Sequence, residues 1–334
     1  DRAADARTVS EGQGYGMMIV AYLAGADPRA QTIFDGLREF ALDHPSDIDP
    51  RLMDFEVPFD ESPQAGGNDS AFDGDADMAF ALLLADRQWG SSGGRFNYRT
   101  EALRVISGLR ESAIGPESRL PLLGDWVDPS GVTFNQWTTR PSDFLPTHFR
   151  AFARAASDST WTRVLERTRQ TVTRIQTVYS PSSGLLPDFL VPLSAADTRP
   201  RPAPPEFLEG PNDGAYFYNA GRVPWRLGFE AVLTPEPIVR NQVRKISRWA
   251  RSTTSGDPQQ IRSGYDLSGA PLPNSEFFSS FFAAPLGVSA MVTSGQRNWL
   301  EAIYEAVRTR EENYYEDSVT LLSMLVMTGN AWQP

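Results

Sequence analysis

Met78-Ala79-Phe80-Ala81-Leu82-Leu83-Leu84-Ala85-Asp86-Arg87-Gln88-Trp89 is the stretch whose reading decides the fold. Met78, Leu82, Ala85 and Trp89 fall on one helical stripe, and Leu83 and Leu84 widen it beyond the single apolar face of a surface helix. The pattern predicts a helix buried on more than one side, hence a core in which helices pack on helices. Segments of the same period recur at about 14–25, 28–43, 74–89, 97–112, 142–156, 158–179, 219–233, 235–252, 276–291, 296–308 and 317–329, eleven in all. Between them, 45–73, 113–141, 180–218 and 254–275 are rich in Gly, Pro, Asp and Ser and read as irregular connections. Connections that long in a compact domain are usually functional. Their alternation with short ones predicts an all-α ring of helical hairpins with the long loops gathered on one face. No break in composition divides the chain, so residues 1–334 read as one domain. The longest loop carries Pro200, Pro202, Pro204, Pro205 and Pro211, which cannot be helix interior and hold the backbone extended. Phe207 and Leu208 within it are apolar anchors, implying that it docks onto the body.

Composition narrows the chemistry. The chain has 334 residues, 40% of them hydrophobic, enough for a large core, and no apolar run approaches the roughly 20 residues that cross a bilayer. With no cysteine, disulfides, thiolate nucleophiles and cysteine metal sites are excluded. His44 and His148 are the only histidines, so zinc chemistry and a Ser-His-Asp triad are poorly supplied. The net charge of −11 disfavours nucleic acid and anionic membranes as partners and favours neutral or cationic substrates. Asp1 is an unusual natural start, so a removed segment is expected ahead of it. Chemistry must come from carboxylates.

Three acidic constellations are candidates. In Ser10-Glu11-Gly12-Gln13-Gly14-Tyr15-Gly16-Met17-Met18, Glu11 reads as a carboxylate in a glycine-rich turn just ahead of an apolar helix, where bare backbone lets a bulky substrate approach. The competing reading is an acid placed near a helix start for its dipole. In Ala71-Phe72-Asp73-Gly74-Asp75-Ala76-Asp77-Met78-Ala79, a calcium loop fails because Met78 stands at the required glycine and Leu84 at the bidentate glutamate. One of these aspartates suffices to cap the helix, leaving spare carboxylates above the helix end. The third runs Glu206-Phe207-Leu208-Glu209-Gly210-Pro211-Asn212-Asp213-Gly214 and on to Tyr216-Phe217-Tyr218-Asn219-Ala220-Gly221-Arg222-Val223-Pro224-Trp225-Arg226. Aromatics dense beside acids suit a sugar, whose faces stack on rings and whose hydroxyls bond carboxylates and guanidinium, or else form a satisfied core edge. Trp126, Trp137 and Trp161 either stack on substrate or pack.

These segments resemble glycoside hydrolase family 8. The segment at Glu11 resembles the one bearing the family's general acid. Ala71 to Trp89 resembles its signature Ala-Ser/Thr-Asp-Ala/Gly-Asp-x-x-Ile/Met-Ala, with Phe72 in place of the small hydroxyl. Arg140-Pro141-Ser142-Asp143-Phe144, the Tyr218–Arg226 run and Tyr314-Tyr315-Glu316-Asp317 extend the resemblance along nearly the whole chain. It implies an (α/α)6 barrel of inner and outer helices and inverting hydrolysis of a β-linked polysaccharide. Eleven helical segments are one short of that barrel, so the first helix is expected to be lost upstream or absent. In the pattern Tyr-Asp-x-x-Arg-x-Pro-Trp-Arg one branch uses the aspartate as general base, but here Asn219 occupies it, and an amide cannot take a proton from water. A second branch, of chitosanases and mixed-linkage glucanases, resembles this chain in its Asn and supplies a glutamate from an insertion. The 180–218 loop matches that insertion, with Glu209 the best match for the base and Glu206 the runner-up.

Carried over, the resemblance makes Glu11 the acid, Glu209 the base and Asp73 the residue holding the distorted sugar, all lining one cleft. Inversion then requires the two carboxyls to be about 6.5–9.5 Å apart, and the resemblance implies no metal and no organic cofactor. Tyr15, Trp126, Trp137, Asp143, Tyr218, Asn219, Arg222 and Tyr315 are the expected substrate-binding residues. The surplus of acids favours chitosan, with β-1,3-1,4-glucan or cellulose as alternatives and a non-catalytic polysaccharide-binding protein as the rival class. The expected protein is a secreted, bacterial, monomeric endo-hydrolase.

Overall fold

The computed structural model describes residues 6–59 and 68–334; part of the 45–73 connection therefore lies outside the described residues. Two compact units emerge, one comprising Asp1–Gln136, His148–Arg163 and Ala331–Pro334, the other Trp137–Thr147 and Val164–Asn330. In chain order the elements are β1 (Ala6–Val9), α1 (Ser10–Tyr22), α2 (Ala30–Asp43), β2 (Glu56–Pro58), α3 (Phe72–Trp89), α4 (Tyr98–Ser112), α5 (Pro146–Ala156) and α6 (Thr160–Val178). They continue with β3 (Leu190–Ser194), β4 (Asp197–Pro202), α7 (Val223–Leu233), α8 (Pro237–Thr253), α9 (Ser280–Ala290), α10 (Arg297–Val307) and α11 (Tyr314–Met327).

Eleven α-helices among the described residues match the eleven periodic segments. In α3 every residue from Phe72 to Ala85 is buried, the three aspartates of its first turns included, as an apolar surface wider than one face predicts for the rest. Helix α9 is buried from end to end, and α7 from Val223 to Ala231. The helices between them, such as α2, α4, α8 and α10, bury only one stripe each. Buried and one-sided helices thus alternate along the chain. Their ends follow local chemistry: Asn97 caps α4 by accepting from Thr100 N–H at 2.9 Å, and Pro224 and Pro237 stand at helix starts where no N–H is needed. Gly90 closes α3 with φ +77°, a conformation that favours glycine.

Two departures from the sequence reading bear on function. First, α1 begins at Ser10, so Glu11 lies in the first helical turn and not in a turn ahead of it. The glycines serve a helix crossing: a Cβ on Gly14 would sit 2.7 Å from Asp77 Cβ, and one on Gly74 would sit 2.6 Å from Glu11 N. Backbone meets backbone where α1 and α3 touch, and only glycine permits it. Second, the proline-rich loop contains an antiparallel hairpin, β3–β4, with Leu190 opposite Pro202 and Pro192 opposite Pro200. Phe207 docks as expected, its ring centroid 6.1 Å from that of Phe189, but Leu208 is 41% exposed and anchors nothing. In the first unit, β1 and β2 form a second short antiparallel pair.

Candidate active site

In the first unit the α1–α3 crossing brings Glu11 and Asp73 together, each in the first turn of its helix. Free N–H groups and the positive end of each helix dipole favour a carboxylate there. Tyr15, one turn beyond Glu11 and 1% exposed, donates its hydroxyl to Glu11 Oε1 at 2.5 Å. A ring so buried offers no open face to a sugar, and its hydroxyl is turned to Glu11. Asp73 is buried, and its Oδ1 accepts from Gly74 N–H at 2.9 Å.

The other two aspartates of that cluster are not spare carboxylates above the helix end. Asp75 is buried and accepts from Met53 N–H at 2.9 Å; burial, with the Asp125 charge adding to it, pushes its carboxyl well above the usual range. Asp77, fully buried, meets His148 Nε2 at 2.8 Å, and the imidazole stacks on Phe80 with centroids 4.0 Å apart. Neither caps α3, whose Ala71 N-cap lacks a side-chain bond. Asp125 ties the long connections together by accepting from Ser46 Oγ at 2.6 Å and Ser70 N–H at 2.8 Å. Next to it Trp126 is half-buried, edge-on to Phe134 at 5.2 Å.

The second unit holds the glutamate of the proline-rich loop. Glu209 is exposed, and both its oxygens are engaged: Oε1 accepts from Arg140 Nη2 at 3.1 Å and Oε2 from Asn219 Nδ2 at 2.6 Å. The Asn219 amide is fixed from behind, because its Oδ1 accepts from Arg222 Nη2 at 2.9 Å. The same guanidinium donates to Ser142 Oγ at 2.9 Å. Arg222 is 1% exposed, and burial lowers it to about 10, which still leaves it charged at neutral pH. Arg140 in turn lies 5.1 Å over the Phe189 ring. Glu206 is also exposed, at φ +57°; among the described residues it is Glu209, not Glu206, whose carboxylate carries a cation and an amide.

Of the remaining expected contacts, Tyr218 is half-buried and stacks on Phe281 at 5.4 Å, and Phe281 leans on Tyr315 at 5.2 Å. Trp137 is half-buried beneath the Arg167 guanidinium at 5.7 Å. Asp143 is fully buried and accepts from Ser142 Oγ at 3.3 Å. Sequence reasoning missed Arg140, Asp188 and Asp213. Asp213, 3% exposed, accepts from the N–H groups of Leu208, Glu209 and Gly210 at 2.7, 3.1 and 3.1 Å and so shapes the turn that carries Glu209. A signal existed for Asp188, a lone acid in the apolar run Leu185-Leu186-Pro187-Asp188-Phe189-Leu190.

Comparison with known proteins identifies the family. Residues 1–329 match the family described as Glycosyl hydrolases family 8. A Beta-glucanase of Niallia circulans is 41% identical over 326 residues, which is 97% of this chain and 77% of that protein. An Endoglucanase of Bacillus sp. (strain KSM-330) is 39% identical over 327 residues, covering 97% and 67%. Among solved structures, apo Beta-1,3-1,4-glucanase from Paenibacillus sp. X4 superposes with TM-score 0.93 at 40% identity over 99% of this chain and 85% of that one. Rex8A from Paenibacillus barcinonensis, at 20% identity and TM-score 0.79, shares the fold. The fold class is all-α, of the (α/α)6 type, with eleven helices in the described residues. With this match over nearly the full chain, the chain belongs to glycosyl hydrolases family 8 and is a glycoside hydrolase.

Proposed function

We propose that the enzyme is an endo-acting, inverting β-glucanase whose substrate is mixed-linkage β-1,3-1,4-glucan. Glu11 is the general acid, Glu209 the general base, and Asp73 the carboxylate that holds the sugar at the cleavage point. The observation that carries this reading is the bond from Asn219 Nδ2 to Glu209 Oε2. The residue standing where another branch keeps its base is here a donor, and it serves the nearby glutamate. Arg140 holds the other oxygen, so the carboxylate is oriented before substrate arrives.

Hydrolysis is then a single displacement. Glu11 protonates the departing glycosidic oxygen while Glu209 takes a proton from water, which attacks the anomeric carbon from the opposite face through an oxocarbenium-like transition state. Tyr218 and Tyr315, kept upright by Phe281, supply ring faces for glucosyl units. The chitosan preference rested on the surplus of acids. The names of the relatives at about 40% identity favour glucan over a glucosamine polymer instead. Because such polymers do not enter cells, the enzyme works after export.

Reducing-end release from barley β-glucan, carboxymethylcellulose and chitosan tests the reading. Release fastest on barley β-glucan, with the α-anomer first in proton NMR, is the expected result. Preferential release from chitosan would restore the other substrate, and an initial β-anomer would remove the inverting mechanism.

A further inference from the structure

Beneath Glu209 lies a closed circuit of bonds whose hub is Asp188. This carboxylate is 3% exposed, inside an apolar run in which Leu185, Leu186, Phe189 and Leu190 are all fully buried. Its Oδ1 accepts from Phe217 N–H at 3.0 Å and from Ala220 N–H at 2.7 Å, spanning the turn that presents Tyr218 and Asn219. Its own N–H donates to Ala215 O at 2.8 Å, and Phe189 N–H donates to Asp213 O at 2.9 Å. Asp213 is the residue that gathers the N–H groups of the Glu209 turn. The Asn219 amide closes the circuit on Glu209 Oε2. One side chain thus fixes the turn of Asn219, and its backbone neighbour fixes the turn of Glu209.

A buried carboxylate is a costly way to hold a turn unless its placement matters. Oδ1 is well suited, because one oxygen with two lone pairs can serve two N–H groups at fixed separation. Burial pushes the carboxyl up to about 7, and the Glu209 charge adds to that rise. Tyr216, also buried, is a further titratable group near it.

We propose that Asp188 is a positioning residue for the hydrolytic water's base, setting Glu209 through the Asn219 turn, a role that rests on Glu209 being the base. It makes no contact with substrate. Its effect belongs to turnover and not to polysaccharide binding.

The test is a double-mutant cycle with the intact enzyme on barley β-glucan and on an aryl-activated mixed-linkage oligosaccharide. Asp188→Ala, which deletes both acceptor contacts, is expected to lower kcat by about 10²-fold, the loss associated with a displacement of about 1 Å at the reacting group. KM should stay within about threefold. Asp188→Asn keeps the carbonyl acceptor in place and should lose less than about tenfold. In a Glu209→Gln background, Asp188→Ala should cost nothing more, since the group it positions is gone. If Asp188→Ala does not melt cooperatively, the same cycle run with Asp188→Asn must show its smaller loss vanish in the Glu209→Gln background. An Asp188→Ala enzyme with wild-type kcat, or an equal further loss on top of Glu209→Gln, overturns the proposal. A fully active Glu209→Gln enzyme would instead overturn the base assignment, and the single variants separate the two failures.

Discussion

Placing a methyl group on Gly74 tests whether the glycines of α1 and α3 serve substrate access or helix contact. An ideal Cβ there lies 2.3 Å from Ser10 Oγ, 2.5 Å from Ser10 C and 2.6 Å from Glu11 N. Two of those atoms are backbone, so no side-chain rotation relieves the overlap. Restoring normal contact at about 3.5 Å requires the first turn of α1 to retreat by about 1 Å. Overpacking of this kind costs about 1–3 kcal/mol, and backbone-on-backbone contact puts Gly74→Ala at the upper end. The better helix propensity of alanine returns about 1 kcal/mol, leaving a net loss of about 2 kcal/mol. Because Glu11 moves with the turn, kcat should fall by about 10²-fold. Gly36 in α2 is the internal control, since a Cβ there meets nothing within 4 Å, and Gly36→Ala should gain about 0.5–1 kcal/mol with no change in turnover. Urea denaturation gives the stabilities and barley β-glucan hydrolysis the rates. A Gly74→Ala enzyme as stable and as active as Gly36→Ala would refute the close-contact reasoning.

Two further expectations concern charge. The Asp188 carboxyl is raised from 3.8 to about 7, so the folded protein keeps a proton that the unfolded chain releases between those values; stability therefore falls as pH rises from about 4 to 7. The rise corresponds to about 4 kcal/mol, and Asp188→Asn should flatten urea midpoints compared at pH 5 and 8; equal slopes in both proteins would contradict this. Asn219→Asp would set a second carboxylate 2.6 Å from Glu209 Oε2, where the two must share a proton at moderate pH, so activity should fall and the acidic limb of the kcat/KM profile should move up by about one pH unit or more. An unshifted limb would mean that the amide does not face the base.

Periodicity exposed the eleven helices of the described residues because burial on a helix leaves a repeat in the sequence that no distant residue can hide. The start of α1 escaped it. Gly12, Gly14 and Gly16 disfavour a helix locally, and the contact that overrides them is made by Gly74, some sixty positions away. The same long-range character hid the supports of Glu209. Asp213 is close in sequence and visible as one acid among several, but nothing local says that its oxygens collect three N–H groups. Arg140 reaches Glu209 across 69 positions. Asn219 was legible by contrast, since the family resemblance marks its position for a carboxylate in one branch and the sequence puts an amide there.

The β3–β4 hairpin also answers a hazard that any free strand edge creates. Ala203 N–H points inward to Phe189 O, so by alternation the N–H positions pointing away from β3 fall at residues 200 and 202. Both are prolines and have nothing to donate. The Pro200 carbonyl, which would otherwise invite a partner, already accepts from Arg174 Nε at 3.1 Å, and the Pro202 carbonyl from Arg201 Nη1 at 3.4 Å. An approaching strand from a second molecule therefore finds neither donors to pair with nor unclaimed acceptors at these positions, so the loop that carries Glu209 can project into solvent without seeding aggregation.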